Sequence, residues 1–412
     1  MAQIFPFQPY RYSPGAGPLD TLVTQPYDKI TPEMRSRYLS LSPFNLVRVI
    51  LGERYPTDSD SDNVYTRAAA YLQDWIARGV LVQDAEPALF AYSQEYSVPD
   101  TGERMVRMGF IGLSAVEDYS QAVVHRHEQT LSGPKKDRLE LLRHTRIHAG
   151  QLFMLYDDPA GEVDRILNEA AADAPTAEVV DEYRFTHRLW KIADPERIAA
   201  IQRAMAPKKL LIADGHHRYE TALAFRDENP GLADAQRVMM TFVNMHSPGL
   251  TILATHRLVG NLAAFDAQAL IRTAELRPAG DAAALRALWA QPHAGKVRIG
   301  VALAGIEPLY LYQADRAAGD LDVVVLHQRL LGAALGINEE SVREEKNTRY
   351  MRGLEPAIAE VRRGAAQAAF LLEPTPVAEV ARVAFSGGVM PQKSTDFYPK
   401  LLSGLAIYKL EK

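Results

Sequence analysis

Residues 210–222, Leu-Leu-Ile-Ala-Asp-Gly-His-His-Arg-Tyr-Glu-Thr-Ala, constrain this chain more than any other stretch. An apolar run from Leu210 to Ala213 ends abruptly at Asp214-Gly215, and a helix-forming segment follows. The pattern predicts a strand, a tight turn and a helix start. Two histidines and an arginine then fall where helix N–H groups lack intrahelical partners and the helix dipole is positive. Such a place suits an anion, above all a phosphate. Arg218 has the fork geometry to clamp phosphate oxygens. Asp214 has the chemistry to hold Mg²⁺ or take a proton. Gly215 permits positive φ and close backbone approach. His216 and His217 complete the cluster.

The chain has 412 residues, enough for two or three domains, with 47% hydrophobic and 24% charged residues, an ordinary soluble composition. A net charge of −5 argues against a general nucleic-acid or membrane binder. No cysteine is present, which excludes disulfides, thiolate catalysis and cysteine-ligated metals and fits a cytoplasmic protein. The first residues carry no basic region followed by a long apolar run, so no signal peptide is expected. No apolar stretch approaches the ~20 residues that span a bilayer.

Along the chain, the first forty-five residues are rich in Pro and Tyr and read as irregular or short extended structure. Helical spacing over 64–78 predicts a helix ended by Gly79. Residues 89–96 and 105–112 read as a hairpin turned by Pro99-Asp100-Thr101-Gly102. Helices are expected over 136–148, 161–172 and 195–205, and strands over 151–156, 184–191, 237–245 and 250–259. Beyond that, helices near 265–275, 281–291, 322–335, 354–364 and 376–386 alternate with strands at 297–302, 309–312, 368–372 and 405–408. The stretch 260–266 is the best candidate boundary.

Three further segments carry chemistry. Residues 125–138 bring Lys135, Lys136 and Arg138 to a helix start at Gly133-Pro134 and repeat the phosphate theme. Residues 390–400 place Lys393, Ser394 and Thr395 after Gly387-Gly388, without the G-x-x-x-x-G-K-[ST] spacing of a Walker A loop. Asp28 stands on the Pro-Tyr turn of Gln25-Pro26-Tyr27-Asp28-Lys29-Ile30, as a turn residue or as a second carboxylate facing the site. Both polybasic segments are expected to converge on the Asp214 turn. The pairs His125/His127 and His216/His217 lack H-E-x-x-H or facial-triad spacing, and no G-x-S-x-G elbow exists. A metal-dependent hydrolase and a Ser-His-Asp hydrolase are therefore the weaker readings.

The chain resembles, nearly end to end, the bacterial and archaeal family catalogued as domain of unknown function 1015. The resemblance rests on residues 25–30, 126–131, 136–143, 212–223, 243–245, 248–253, 255–257 and 390–400. A second resemblance covers about ten residues: Asp214 to Ala222 is similar to the nucleotide-phosphate turn of the ParB/sulfiredoxin superfamily, closest to free-serine kinases with an Asp-Gly-His-His-Arg turn. That likeness implies an α/β (α+β) fold: a ParB/sulfiredoxin-like nucleotide-binding core within 1–260, an insertion over about 60–180, and a C-terminal α/β region over 261–412. It implies phosphate binding by Gly215, His216, His217 and Arg218, and a catalytic Asp214. The kinases also use an N-terminal Glu as base; Asp28 is the nearest candidate here. The sulfiredoxin branch needs a Cys that this chain lacks, and the DNA-binding branch needs a basic helix-turn-helix that is not found.

The function expected from these residues is nucleotide- or polyphosphate-dependent transfer of phosphate to a small hydroxyl compound, with free L-serine the leading acceptor by analogy. Mg²⁺, held by Asp214, and ATP, ADP or another nucleotide would serve it. Asp214 or Asp28 would orient or deprotonate the acceptor, and Lys136, Arg138, Lys393, Ser394 and Thr395 would extend the phosphate shell. A nucleotide-sensing protein without turnover is the alternative.

Overall fold

The computed structural model describes residues 1–128, 132–292, 295–317 and 319–411. The chain forms a mixed α/β fold of two compact units. The first comprises Met1–Val98, Glu103–Leu250 and the residues from Pro399 onward; the second comprises Pro99–Gly102 and Thr251–Tyr398. The division thus falls between Leu250 and Thr251, ahead of 260–266, and the C-terminal strap rejoins the first unit. The apolar run 250–259 breaks at Leu253-Ala254 into Thr251–Ile252, which pairs with Phe397–Tyr398, and Thr255–Val259, which enters the second unit's sheet.

The first unit is built on a nine-stranded mixed sheet. Its order is Val124–His125, Leu210–Asp214, Leu152–Tyr156, Arg237–Asn244, Arg104–Ala115, Leu89–Ser97, Thr186–Ile192, Ala177–Val180, with Ile4–Phe5 paired onto Arg104–Ala115. The strands Leu210–Asp214 and Leu152–Tyr156 are nearly continuous apolar runs because both faces are covered. Phe110 and Phe242 stack at 4.7 Å in this core, beside Ile212, Met154 and Tyr219. The expected hairpin is present and longer than its pattern, Leu89–Ser97 with Arg104–Ala115. Helix Val64–Ala77 starts at an Asn63/Thr66 capping box, and Pro195–Met205 starts at Asp194 followed by Pro. The helix expected over 136–148 spans Ser132–Thr145 and gives way to the short strand Ile147–His148. The Pro/Tyr-rich start, expected to be irregular or short extended structure, contains the helix Pro32–Leu41, and the short helix Val47–Ile50 follows it.

The C-terminal strap is stitched into this unit. Thr24 and Ser403 exchange backbone hydrogen bonds, as do Tyr10 and Ile407, and Tyr408–Lys409 pairs with Ile147–His148.

The second unit carries a six-stranded antiparallel sheet in the order Arg277–Gly280, Ile306–Asp315, Lys296–Leu303, Ala368–Leu371, Thr255–Val259, Thr348–Arg352. Leu258, Ala369 and Leu371 pack with Ala357, Ile358 and Val361 of helix Leu354–Arg362. The helix expected over 322–335 begins as α over Asp322–Val325 and widens to π geometry over Leu326–Ala334. Strands Arg277–Gly280 and Thr348–Arg352 have no clear sequence signal: one holds Pro and Gly, and the other, Thr-Arg-Tyr-Met-Arg, lacks the period-two alternation of a half-buried strand. Among the described residues no helix is long and apolar enough to cross a membrane.

Candidate functional site

The strand Leu210–Asp214 leads through Gly215 into the helix His216–Glu228. Gly215 has φ +100°, and a Cβ there would lie 2.9 Å from Leu152 Cδ2 and 3.1 Å from the Arg218 guanidinium. Both conformation and space therefore demand glycine. The strand register shifts between Ile212 and Asp214, an irregularity of the kind that re-aims a side chain at a strand end. The helix begins with no side-chain cap, so its positive end faces the turn.

Asp214 is the hub. Its Oδ2 accepts from Arg218 Nη2 at 2.7 Å and its Oδ1 from Lys400 Nζ at 2.8 Å. All three side chains are largely buried, at 17%, 17% and 10% exposed for Asp214, Arg218 and Lys400. Burial alone would raise the Asp214 carboxyl, but the charges of Lys400 and Arg218, with Lys29 behind them, hold it well below the usual carboxylate range. Arg218 Nη1 also donates to the Gln151 carbonyl.

Lys400 reaches Asp214 across 186 residues because its backbone is clamped. Gln94 Nε2 donates to the Lys400 carbonyl at 2.8 Å, and Arg107 Nη2 donates to the Pro399 carbonyl at 2.5 Å. Gln94 and Arg107 face each other on paired strands, with Arg107 Nε 3.1 Å from Gln94 Oε1. Arg107 is buried over the Phe153 ring at 4.5 Å, and burial pulls its guanidinium down to about 10, still charged at neutral pH. Phe153 pairs with Asp214 across the sheet, so this buried charge also acts on Asp214.

Two histidines form the wall behind the turn. His127 Nδ1 donates to the Ile212 carbonyl at 2.8 Å, and its ring meets His216 edge to face at 4.8 Å. Burial pushes His127 down to about 4 and His216 well below its ordinary value. Both are neutral at pH 7. His216 Nε2 is buried with no hydrogen-bond partner among the described residues.

The short helix Tyr27–Lys29 brings Asp28 and Lys29 into the same field. Lys29 Nζ lies 3.7 Å from Asp28, and its charge bears on Asp214. Burial raises the Tyr27 phenol, and that phenol feels Arg218, Asp28, Arg138 and Asp214 together. The cations Arg107, Lys29, Arg218 and Lys400 thus face the carboxylates Asp28 and Asp214, a surplus of two positive charges beside a positive helix end.

The remaining sequence candidates fall as follows. Arg138 lies over the Tyr27 ring at 4.3 Å and donates to the Ile50 carbonyl and to Asp137. Lys135 pairs with Glu220, on the helix that begins at the turn, while Lys136 is exposed. Gln129, Thr130 and Leu131 lie outside the described residues. Lys393, Ser394 and Thr395 belong to the second unit. There Arg257 Nη2 donates to the Lys393 carbonyl, Thr375 to the Ser394 carbonyl, and Ser394 Oγ to the Pro391 carbonyl. From the segment 390–400 it is Lys400 that enters the first unit's site.

Asp214 was expected to hold Mg²⁺. Its donor set does not fit a resident metal, since both oxygens are taken by cations. Among the described residues no three His, Asp or Glu side chains group as metal ligands.

A mixed α/β protein with an electropositive strand-to-helix turn is what the fold and site define. The chain belongs to the family described as "Protein of unknown function (DUF1015)", whose profile matches residues 4–324. No curated protein matches it. Among solved structures it is similar to a free serine kinase in complex with AMP, at 14% identity and TM-score 0.35, covering 69% of this chain and 89% of that one. It is also similar to a conserved hypothetical protein from Pyrococcus furiosus (15%, TM-score 0.35, covering 70% and 92%). A third likeness is to SbnI with C-terminal truncation from Staphylococcus aureus (11%, TM-score 0.36, covering 72% and 87%). At this level of superposition these likenesses assign the chain neither ligand nor activity.

Proposed function

We propose that this protein is a nucleotide- or polyphosphate-dependent phosphotransferase acting on a small hydroxyl compound. One observation carries the reading: a single carboxylate holds two buried cations, with two more in its field, at an uncapped helix start. A phosphate chain is the ligand that such a surplus favours. The sequence likeness of the Asp214–Ala222 turn to free-serine kinases points the same way, and free L-serine is the first acceptor to try.

In this scheme Arg218, Lys400 and Lys29 hold the phosphate oxygens, and the neutral His216 offers Nε2 to one of them. The acceptor oxygen forms a bond to the terminal phosphorus while the bridging P–O bond breaks and its electron pair leaves with the shortened nucleotide. The acceptor proton goes to a carboxylate. Asp214 is a weak proton acceptor because two cations hold it ionised. It serves instead to space Arg218 and Lys400, and the base is Asp28. Magnesium would enter as the ion carried by the nucleotide.

The test is transfer of labelled terminal phosphate from ATP, ADP or pyrophosphate to serine and a panel of hydroxyl compounds. A labelled phospho-product that disappears with Asp28→Asn is the expected result. Nucleotide binding with transfer to no acceptor, not even water, replaces the kinase by a nucleotide sensor. A second expectation concerns the clamp on the strap. Gln94→Met removes the hydrogen bond to the Lys400 carbonyl, worth about 1 kcal/mol, and with it the side-chain acceptor of the buried Arg107, and is expected to weaken pyrophosphate binding roughly fivefold and to lower the melting temperature. Unchanged affinity would show that Lys400 is not a phosphate ligand.

A further inference from the structure

Arg218 also lines a pocket of the first unit that the scheme above leaves unused. It is a narrow pocket of about 700 Å³ that opens to solvent. Its walls are mostly apolar, among them Ile50, Leu141, Leu142, Ile147, Leu152 and Val238, with Tyr27, Arg138, Thr145, His148, Arg218, Thr221 and Ser403 adding polar groups. Among the described residues no Asp or Glu lines it.

We propose that this pocket takes the nucleobase of a nucleotide whose phosphates lie on the 214–218 turn. The inference rests on the phosphate reading of that turn. A free amino acid fits the pocket badly, because its ammonium would meet no carboxylate. A flat, largely apolar ring with a polar edge suits a narrow, mostly apolar slot that carries a few polar groups. Its polar edge meets the hydroxyls of Thr145 and Thr221, which donate to the Leu141 and His217 carbonyls and keep acceptor lone pairs. Arg218 belongs to both the turn and the pocket wall, so one ligand with an anionic tail and a flat body spans them. The acceptor is then left to the side of Asp28 and Lys29, which do not line the pocket.

The experiment is calorimetric titration of the full chain with inorganic pyrophosphate, ADP and CDP, on wild type and on Leu141→Trp, which fills the slot from a half-buried helix position. Wild type is expected to bind both nucleotides about tenfold or more tightly than pyrophosphate. Leu141→Trp is expected to erase that advantage while pyrophosphate affinity stays within about twofold, the scatter of a surface-like change. Should the Trp variant fail to fold by circular dichroism, Leu141→Phe carries the same expectation with a smaller loss. Nucleotides that bind no better than pyrophosphate overturn the pocket alone. So does a variant that keeps full ADP affinity but loses acceptor turnover. Binding of none of the three ligands overturns the phosphate reading and the pocket with it.

Discussion

Asp214→Asn is expected to lower the stability of the first unit by about 3 kcal/mol, and pyrophosphate is expected to restore it. Breaking a buried ion pair by removing one partner costs roughly 3–5 kcal/mol, because the other partner is left uncompensated. Here two cations, Arg218 and Lys400, lose the same carboxylate. The side chains are slightly exposed, which places the loss at the lower end. The same substitution frees both cations for an anion that in wild type must compete with Asp214. Pyrophosphate stabilises whichever form binds it by mass action, so its stabilising effect on the variant is expected to exceed that on wild type. Urea unfolding with and without pyrophosphate measures both. A variant as stable as wild type, or one that pyrophosphate leaves untouched, would contradict the arrangement.

Mild acid is expected to unfold the protein well before its carboxylates protonate. Burial pushes His127, His148, His256 and His327 down to about 4, and His216 further. In the unfolded chain each titrates near ~6.5. Between these values the unfolded state binds protons that the folded state does not, so stability falls as pH drops from about 6.5 toward 4. Each histidine removes on the order of 1–2 kcal/mol by pH 5, and several together approach the whole stability of a domain. Three of the five lie in the first unit and two in the second, so both are affected. Melting followed by calorimetry is expected to drop by more than about 10 °C between pH 7.5 and 5. A flat melting temperature across that window would mean that these imidazoles are protonated in the folded state.

The turn was legible because its signal is local. An apolar strand, Asp-Gly, and a helical segment in thirteen consecutive residues leave little freedom, and Gly215 does adopt the positive φ its type allows. The cations around it were harder to read. Lys400 lies in the chemically rich segment 390–400, where the glycine pair before Lys393 and Ser394 is the stronger local signal. The useful signal was the apolar run 401–407 directly after Pro399-Lys400, which marks a buried strap and so a lysine held at its edge. Arg107 carried a signal too: it is a charged residue at a core-facing parity of an otherwise apolar strand. What it holds, the Pro399 carbonyl, is 292 residues away and no local pattern encodes it. Residue type alone points to a metal ligand or a base at Asp214. Arg218 and Lys400 hold its carboxylate ionised, and protonation chemistry depends on neighbours that only the fold assembles.

The claim on which the rest depends is that the Asp214–Arg218 turn binds phosphate, and calorimetric titration of pyrophosphate into wild type and Arg218→Ala tests it directly. A charge-assisted hydrogen bond is worth about 1.5–3 kcal/mol, so the variant is expected to bind roughly tenfold to a hundredfold more weakly. Equal affinity in the two proteins, or no heat of binding in wild type, would contradict it.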